Sequence, residues 1–104
     1  MNTSTIDRHI EMTPEIVGGK PRIAGRRITV QNIAIWHEYM GMRADEITAE
    51  YDLSLAEVYA ALAYYFDHRA EIEEQIAEDK AFADALQTGT VSIFQSKLNR
   101  QSRE

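Results

Sequence analysis

Four basic residues, Lys20, Arg22, Arg26 and Arg27, fall within the stretch 18-GGKPRIAGRRITVQNI-33. Such residues bind anions, phosphate above all, when a glycine-rich backbone brings amide groups alongside them. The spacing here excludes two sites of that kind. A P-loop needs four residues between its glycines and then Lys with Ser or Thr, whereas Lys20 is followed by Pro21. A dinucleotide fingerprint needs a long leading strand and Gly-x-Gly-x-x-Gly, and neither occurs. Two uses stay open. Arg22, Arg26 and Arg27 can each neutralise a DNA backbone phosphate, or they can pair with carboxylates of the helices that follow.

Other chemistry is thinly represented. The histidines, His9, His37 and His68, stand at no metal-ligand spacing. The chain has no cysteine, hence no thiol nucleophile, thiolate metal site or disulfide. Glu71, Glu73, Glu74, Glu78 and Asp79 offer carboxylates for acid–base work, but a charge run on a helix is usually a solvated face. The expectation is no catalytic residue, no metal and no cofactor. His37 is expected as a hydrogen-bonded core residue and His68 at a helix junction.

Charge is distributed unevenly over the 104 residues. The net charge of −6 combines a weakly basic start, a strongly acidic middle from residue 34 to 86, and a weakly basic end. That pattern suits a partner with a basic surface better than a broad phosphate-binding face. No apolar run reaches the length of a membrane span, and MNTSTIDRHIEMT lacks the apolar core of a signal peptide. The expectation is a cytoplasmic protein without membrane contact.

The elements that must position these residues follow from periodicity. Residues 8–30 mix Ile and Val with Pro14, Pro21 and three glycines, which predicts a two-stranded ribbon of His9–Met12 and Ile23–Thr29. From Val30 the apolar spacing turns helical through Ile33, Ala34, His37 and Met40, with Thr29 as N-cap and Gly41 as stop. A second helix is expected at Ala44–Tyr51. A third starts at Ser54, where 54-SLAE-57 forms a capping box. Leu55, Val58, Leu62 and Tyr65 mark its buried side, and Ala56, Glu57, Tyr59, Ala60, Ala63 and Tyr64 its outer side. A break near Asp67–His68 precedes a fourth helix with a stripe of Ile72, Ile76, Ala83 and Leu86, ended by Thr88 and Gly89. The tail beyond carries Val91, Phe94 and Leu98 at helical spacing.

Two short helices joined by a few residues make a helix-turn-helix pattern, with the third helix in the recognition position. Its outer side has none of the Arg, Lys, Asn or Gln that bond base edges in pairs. Candidate DNA-contacting residues are therefore Arg22, Arg26 and Arg27, plus Ser54, Ala56 and Tyr59 at the helix start. Candidate partner-binding residues are Tyr64, Phe94 and Leu98, since tyrosine and large apolar anchors concentrate binding energy.

The runs 19-GKPRIAGRRITV-30 and 41-GMRADEITAEYDLSLAEVYAALAYYFDHRAEI-72 resemble the "domain of unknown function 433" family over about residues 8–76. In that resemblance Arg27 matches the motif arginine, Thr29 replaces a usual proline, and Arg43-Ala44 replaces a Ser-Pro cap. The resemblance implies a mainly α fold: a small N-terminal β-ribbon, a three-helix homeodomain-like or winged-helix-like core, and a C-terminal helix. Residues 1–7 are expected to be disordered, 8–86 to form the domain and 87–104 a flexible tail. Family members encoded beside a PIN-like nuclease are assigned as antitoxins of VapBC-type pairs. The resemblance thus implies a non-catalytic antitoxin that binds a PIN-like nuclease toxin and its own promoter DNA. A homodimer is expected, because one copy offers few phosphate contacts and operators match a two-fold protein. The alternative is a helical interaction or dimerisation module that binds no DNA.

Overall fold

The expected ribbon forms, shorter than its predicted limits and with one strand more. A computed structural model describes the backbone at residues 4–5 and 8–103 and the side chains at residues 8–89. Strands β1 (Ser4–Thr5), β2 (Ile10–Met12) and β3 (Arg22–Ile23) make a small antiparallel sheet in that order. β1 lies where the sequence suggested a frayed end. The β2–β3 register sets Ile10 opposite Ile23 and Glu11 opposite Arg22. Both isoleucines are wholly buried. The second strand does not run on to Thr29, because the chain folds back at Ala24–Arg26. The Arg26 amide donates to the Ile23 carbonyl at 2.9 Å and the Ile23 amide to Ile28 at 2.8 Å. Gly25 sits at the apex with φ +75°, a conformation that favours a residue without Cβ.

The helices start where their side chains can satisfy the first free amides. α1 (Val30–Ala34) opens on a reciprocal cap: the Asn32 amide donates to Thr29 Oγ1 at 3.0 Å and the Thr29 amide to Asn32 Oδ1 at 3.1 Å. The helix was expected to continue unchanged to Gly41. Instead it widens into a π turn over Ile35–Tyr39, then ends at Met40 and at Gly41 with φ +72°.

α2 (Ala44–Tyr51) has the predicted limits. Arginine has no acceptor to offer as a cap, so only half of a capping box exists: the Arg43 amide donates to Glu46 Oε1 at 2.9 Å. Asp52 closes the helix in the left-handed conformation, φ +55°. α3 (Leu55–Asp67) follows after a three-residue turn. Its predicted box is complete, Glu57 amide to Ser54 Oγ at 3.1 Å and Ser54 amide to Glu57 Oε1 at 2.8 Å.

The predicted break falls at His68, whose amide donates back to the Tyr64 carbonyl at 2.9 Å. α4 then runs from Arg69 to Arg103. Its end is not at Thr88–Gly89, as the sequence suggested. One interior glycine costs only about 1 kcal/mol relative to alanine, and no proline follows to interrupt the ladder.

The chain divides into two compact units, Met1–Ile72 and Glu73–Glu104. The first is built on Ile10, Ile23, Val30, Ile33, Ile47, Val58, Tyr65 and Ile72, each at most 1% exposed. Within it α3 packs against both α1 and α2. Such side chains contribute roughly 1.5–3 kcal/mol each when fully buried. In the second unit Ala83 and Leu86, expected on a buried stripe, are exposed, as is Phe82. Lys80 and Asp84 pair there at 3.1 Å across one helical turn. Among the described residues no helix is long and apolar enough to cross a membrane.

Two expectations for α3 reverse. Leu55 is 49% exposed, while Tyr64 is only 9% exposed. Val58, Ala61, Leu62 and Tyr65 define the inner face, and Tyr64, three residues after Ala61, falls on it. Leu55 sits at the outer edge of that face, in the first turn.

If the reciprocal caps set the helix starts, Ser54→Ala and Thr29→Ala each lower stability by about 1 kcal/mol. Urea denaturation should report a lower midpoint at unchanged slope, and Ala56→Ser on the exposed face should shift it far less.

Candidate functional site

The three candidate arginines occupy three different environments. Arg22 is 5% exposed. Its Nη1 lies 3.1 Å from Glu11 Oε1 and donates to the Arg26 carbonyl at 3.1 Å, while Nη2 donates to Thr13 Oγ1 at 2.9 Å. Its buried Nε has no hydrogen-bond partner among the described residues. Glu11 Oε1 also accepts from the Gly25 amide at 2.7 Å. One buried ion pair thus ties together β2, β3 and the turn that leads to α1. This guanidinium faces inward, so the outward reach expected of Arg22 is absent.

Arg26 is half-buried and reaches across to α2. Nη1 donates to the Asp52 carbonyl at 2.9 Å and Nη2 to the Tyr51 carbonyl at 2.8 Å. The last carbonyls of a helix lack intrahelical donors and carry the negative end of its dipole, which a guanidinium suits. Beside this contact Trp36, from the π turn, stacks on Tyr51 with ring centroids 3.7 Å apart and planes 4° apart. Neither Arg22 nor Arg26 pairs with a carboxylate of the helices: Arg22 pairs within the ribbon, and Arg26 caps backbone. Arg27 alone of the three is exposed, and no described residue partners it.

The start of α3 is similarly occupied. The Ser54 hydroxyl and amide are both used in the capping box. Ala56 and Tyr59 are exposed as expected, Tyr59 at 57%. Together with Leu55, Ala63 and Phe66 they give α3 an outer face of apolar and aromatic groups. On α2 Asp45, Glu46 and Glu50 are exposed, as is Asp52 in the turn that follows. Arg43 Nε–H bonds Asp45 at 3.2 Å, which holds that carboxyl below its ordinary range.

Tyr64, a candidate partner contact, stacks instead on His68, with centroids 4.0 Å apart. His68 Nδ1 lies 3.0 Å from the Tyr64 carbonyl. Burial, seconded by the Glu71 carboxylate, pushes the Tyr64 phenol above its ordinary value of 10.0. His37 is not a core residue: its ring is about one-third exposed, with Nδ1 2.7 Å from Glu38 Oε2. The side chains of Phe94 and Leu98 lie outside the described residues. Among the described residues no cluster of three His, Asp or Glu could hold a metal ion.

A family model described as "Protein of unknown function (DUF433)" matches residues 10–65, more than half of the chain. The chain belongs to the DUF433 family. It is also similar to the crystal structure of a DUF433 member protein from Anabaena variabilis, at 30% identity and a TM-score of 0.62, covering 69% of this chain and 71% of that one. No curated protein matches. The DUF433 match begins at β2 and ends within α3. It therefore encloses the Glu11–Arg22 pair, the Gly25 turn, the Arg26 contact and both reciprocal caps. In this DUF433 chain Arg22, the Gly25 turn and Arg26 tie the ribbon to the end of α2. Sequence reasoning missed the Trp36–Tyr51 stack, since nothing in spacing relates two aromatic residues on different helices.

The arginine assignments order the expected losses. Arg22→Met should cost roughly 3 kcal/mol or more by stranding Glu11, Arg26→Ala about 1–2 kcal/mol, and Arg27→Ala less than about 0.5 kcal/mol. Chemical denaturation of the three variants checks the order. For Tyr64 the unfolded chain gives up its phenolic proton before the folded one does, so stability falls as pH rises past 10. Followed from pH 8 upwards, wild type should lose stability relative to Tyr64→Phe once pH passes 10.

Proposed function

We propose that the protein is a non-catalytic, antitoxin-like binding module with a homeodomain-like helix-turn-helix core, whose partner is a PIN-like nuclease toxin. The observation that carries this reading is the exposed acidic surface of α2 and its turn, Asp45, Glu46, Glu50 and Asp52, beside an α3 face without base-reading donors. Carboxylates of this kind steer and hold a basic protein surface. They repel the phosphates that a recognition helix must approach. The family resemblance supplies the partner class, and the charge supplies the reason that class fits.

Promoter contact is a second reading, favoured by one feature, the exposed Arg27, which has no partner among the described residues. A single guanidinium positions a protein on DNA without reading sequence.

Co-expression of the full chain with a nuclease encoded beside its gene tests the first reading. The expected result is a stable complex with suppressed nuclease activity, weakened tenfold or more by Glu46→Lys combined with Glu50→Lys. A nuclease that ignores the chain, or a complex indifferent to both reversals, overturns it. For the second reading, a gel shift on upstream DNA at about 50 mM salt should show binding whose salt slope falls by about one on Arg27→Ala. Absence of a shift, with and without the nuclease, removes DNA from the function.

A further inference from the structure

We infer that the outer face of α3 is a self-association surface, on which two copies of this chain pack with their third helices antiparallel about a two-fold axis. The reading goes beyond the nuclease proposal and stands without it. Leu55, Tyr59, Ala63 and Phe66 recur at four, four and three residues, which aligns them in one stripe along the helix. Leu55, Tyr59 and Phe66 are 49, 57 and 50% exposed, and Ala63 is exposed beside them. Tyr59 and Phe66 sit on the solvent side of a helix whose opposite side already fills the core, and Leu55 extends the stripe from the edge of the inner face.

The stripe is self-complementary. Reversing one copy against another sets the Tyr59 ring over the small Ala63 of the partner, and the reverse, at both positions flanking the axis. Leu55 then meets the partner helix at the level of Phe66. A two-fold interface uses the same patch on both copies, so a pattern that matches its own reversal is what such an interface requires. Large side chains opposite small ones let the helices approach closely.

The rim charges agree with this orientation and not with a parallel one. Asp67 is exposed at the C-terminal end of α3. Antiparallel packing brings it to the first turn of the partner helix, where the dipole favours it. The same register brings exposed Arg69 to the level of exposed Asp52 on the other copy, twice per dimer. A parallel pairing would set Asp67 against Asp67 and Arg69 against Arg69.

The chain has no cysteine, which makes the register directly measurable. Light scattering on the full chain at roughly 100 µM, enough to populate a micromolar dimer, should give twice the 11.9 kDa protomer mass. Tyr59→Arg and Ala63→Arg, both on solvent-facing positions, should keep helical circular dichroism and raise the dissociation constant tenfold or more. Copies carrying Tyr59→Cys, mixed with copies carrying Ala63→Cys, should form the mixed disulfide in preference to either homodimer. A monomer at this concentration overturns the inference, as does a dimer indifferent to both arginine substitutions. Preferred Tyr59→Cys homodimers would overturn the antiparallel register. Because no nuclease takes part, these outcomes are independent of the toxin reading.

Discussion

The structure depends on a guanidinium taken out of water. Both residues of β3, Arg22 and Ile23, are buried, so the guanidinium lies out of water although strand side chains alternate between faces. Burial of a charge is costly without a counter-ion and further acceptors. Glu11 supplies the counter-ion because the β2–β3 register sets it directly opposite. Thr13 and the Arg26 carbonyl supply acceptors from the flanking loops. Several pieces of irregular chain are thereby fixed to one side chain. The Glu11 carboxylate extends the arrangement to the apex of the Gly25 turn. A ribbon of this size would not be stable alone; the ion pair and the two buried isoleucines give it something to hold.

That constraint propagates into the helices. With the Gly25 turn closed, Arg26 is aimed at the end of α2 and completes the carbonyls that Tyr51 and Asp52 leave open. The π turn at Ile35–Tyr39 has a related effect, for Trp36 lies on it and stacks on Tyr51. The end of α2 is thus held by a guanidinium on its backbone and an indole on its side chain. The turn that launches α3 begins at the next residue. The orientation of α3, and therefore the identity of its outer face, follows from contacts made well outside that helix.

Function inherits this arrangement. The basic stretch that looked most suited to binding an anion spends Arg22 inside the sheet and Arg26 on a helix end. What is left at the surface is acidic on α2 and apolar on α3. The proposed protein partner rests on that surface. The extent of the family match, from β2 into α3, covers the same residues that hold the ribbon to the helices.

Local features were determined by the sequence alone. The starts of α1 and α3 were legible because a cap bonds residues three apart, so both partners stand in one short window, and the limits of α2 and the break at His68 were legible from short-range charge and apolar spacing. Core positions at helical spacing were legible for the same reason, though Leu55 and Tyr64 were exchanged. Counting from Ala61 would have placed Tyr64 inward. Tertiary structure alone decided what each arginine does. The acceptors of Arg26 lie 25 and 26 residues away, and the counter-ion of Arg22 lies on another strand. The π turn and the Trp36–Tyr51 stack belong to the same class. No local rule relates such residues: their proximity is a product of how the helices and the ribbon pack, and it exists only once they have.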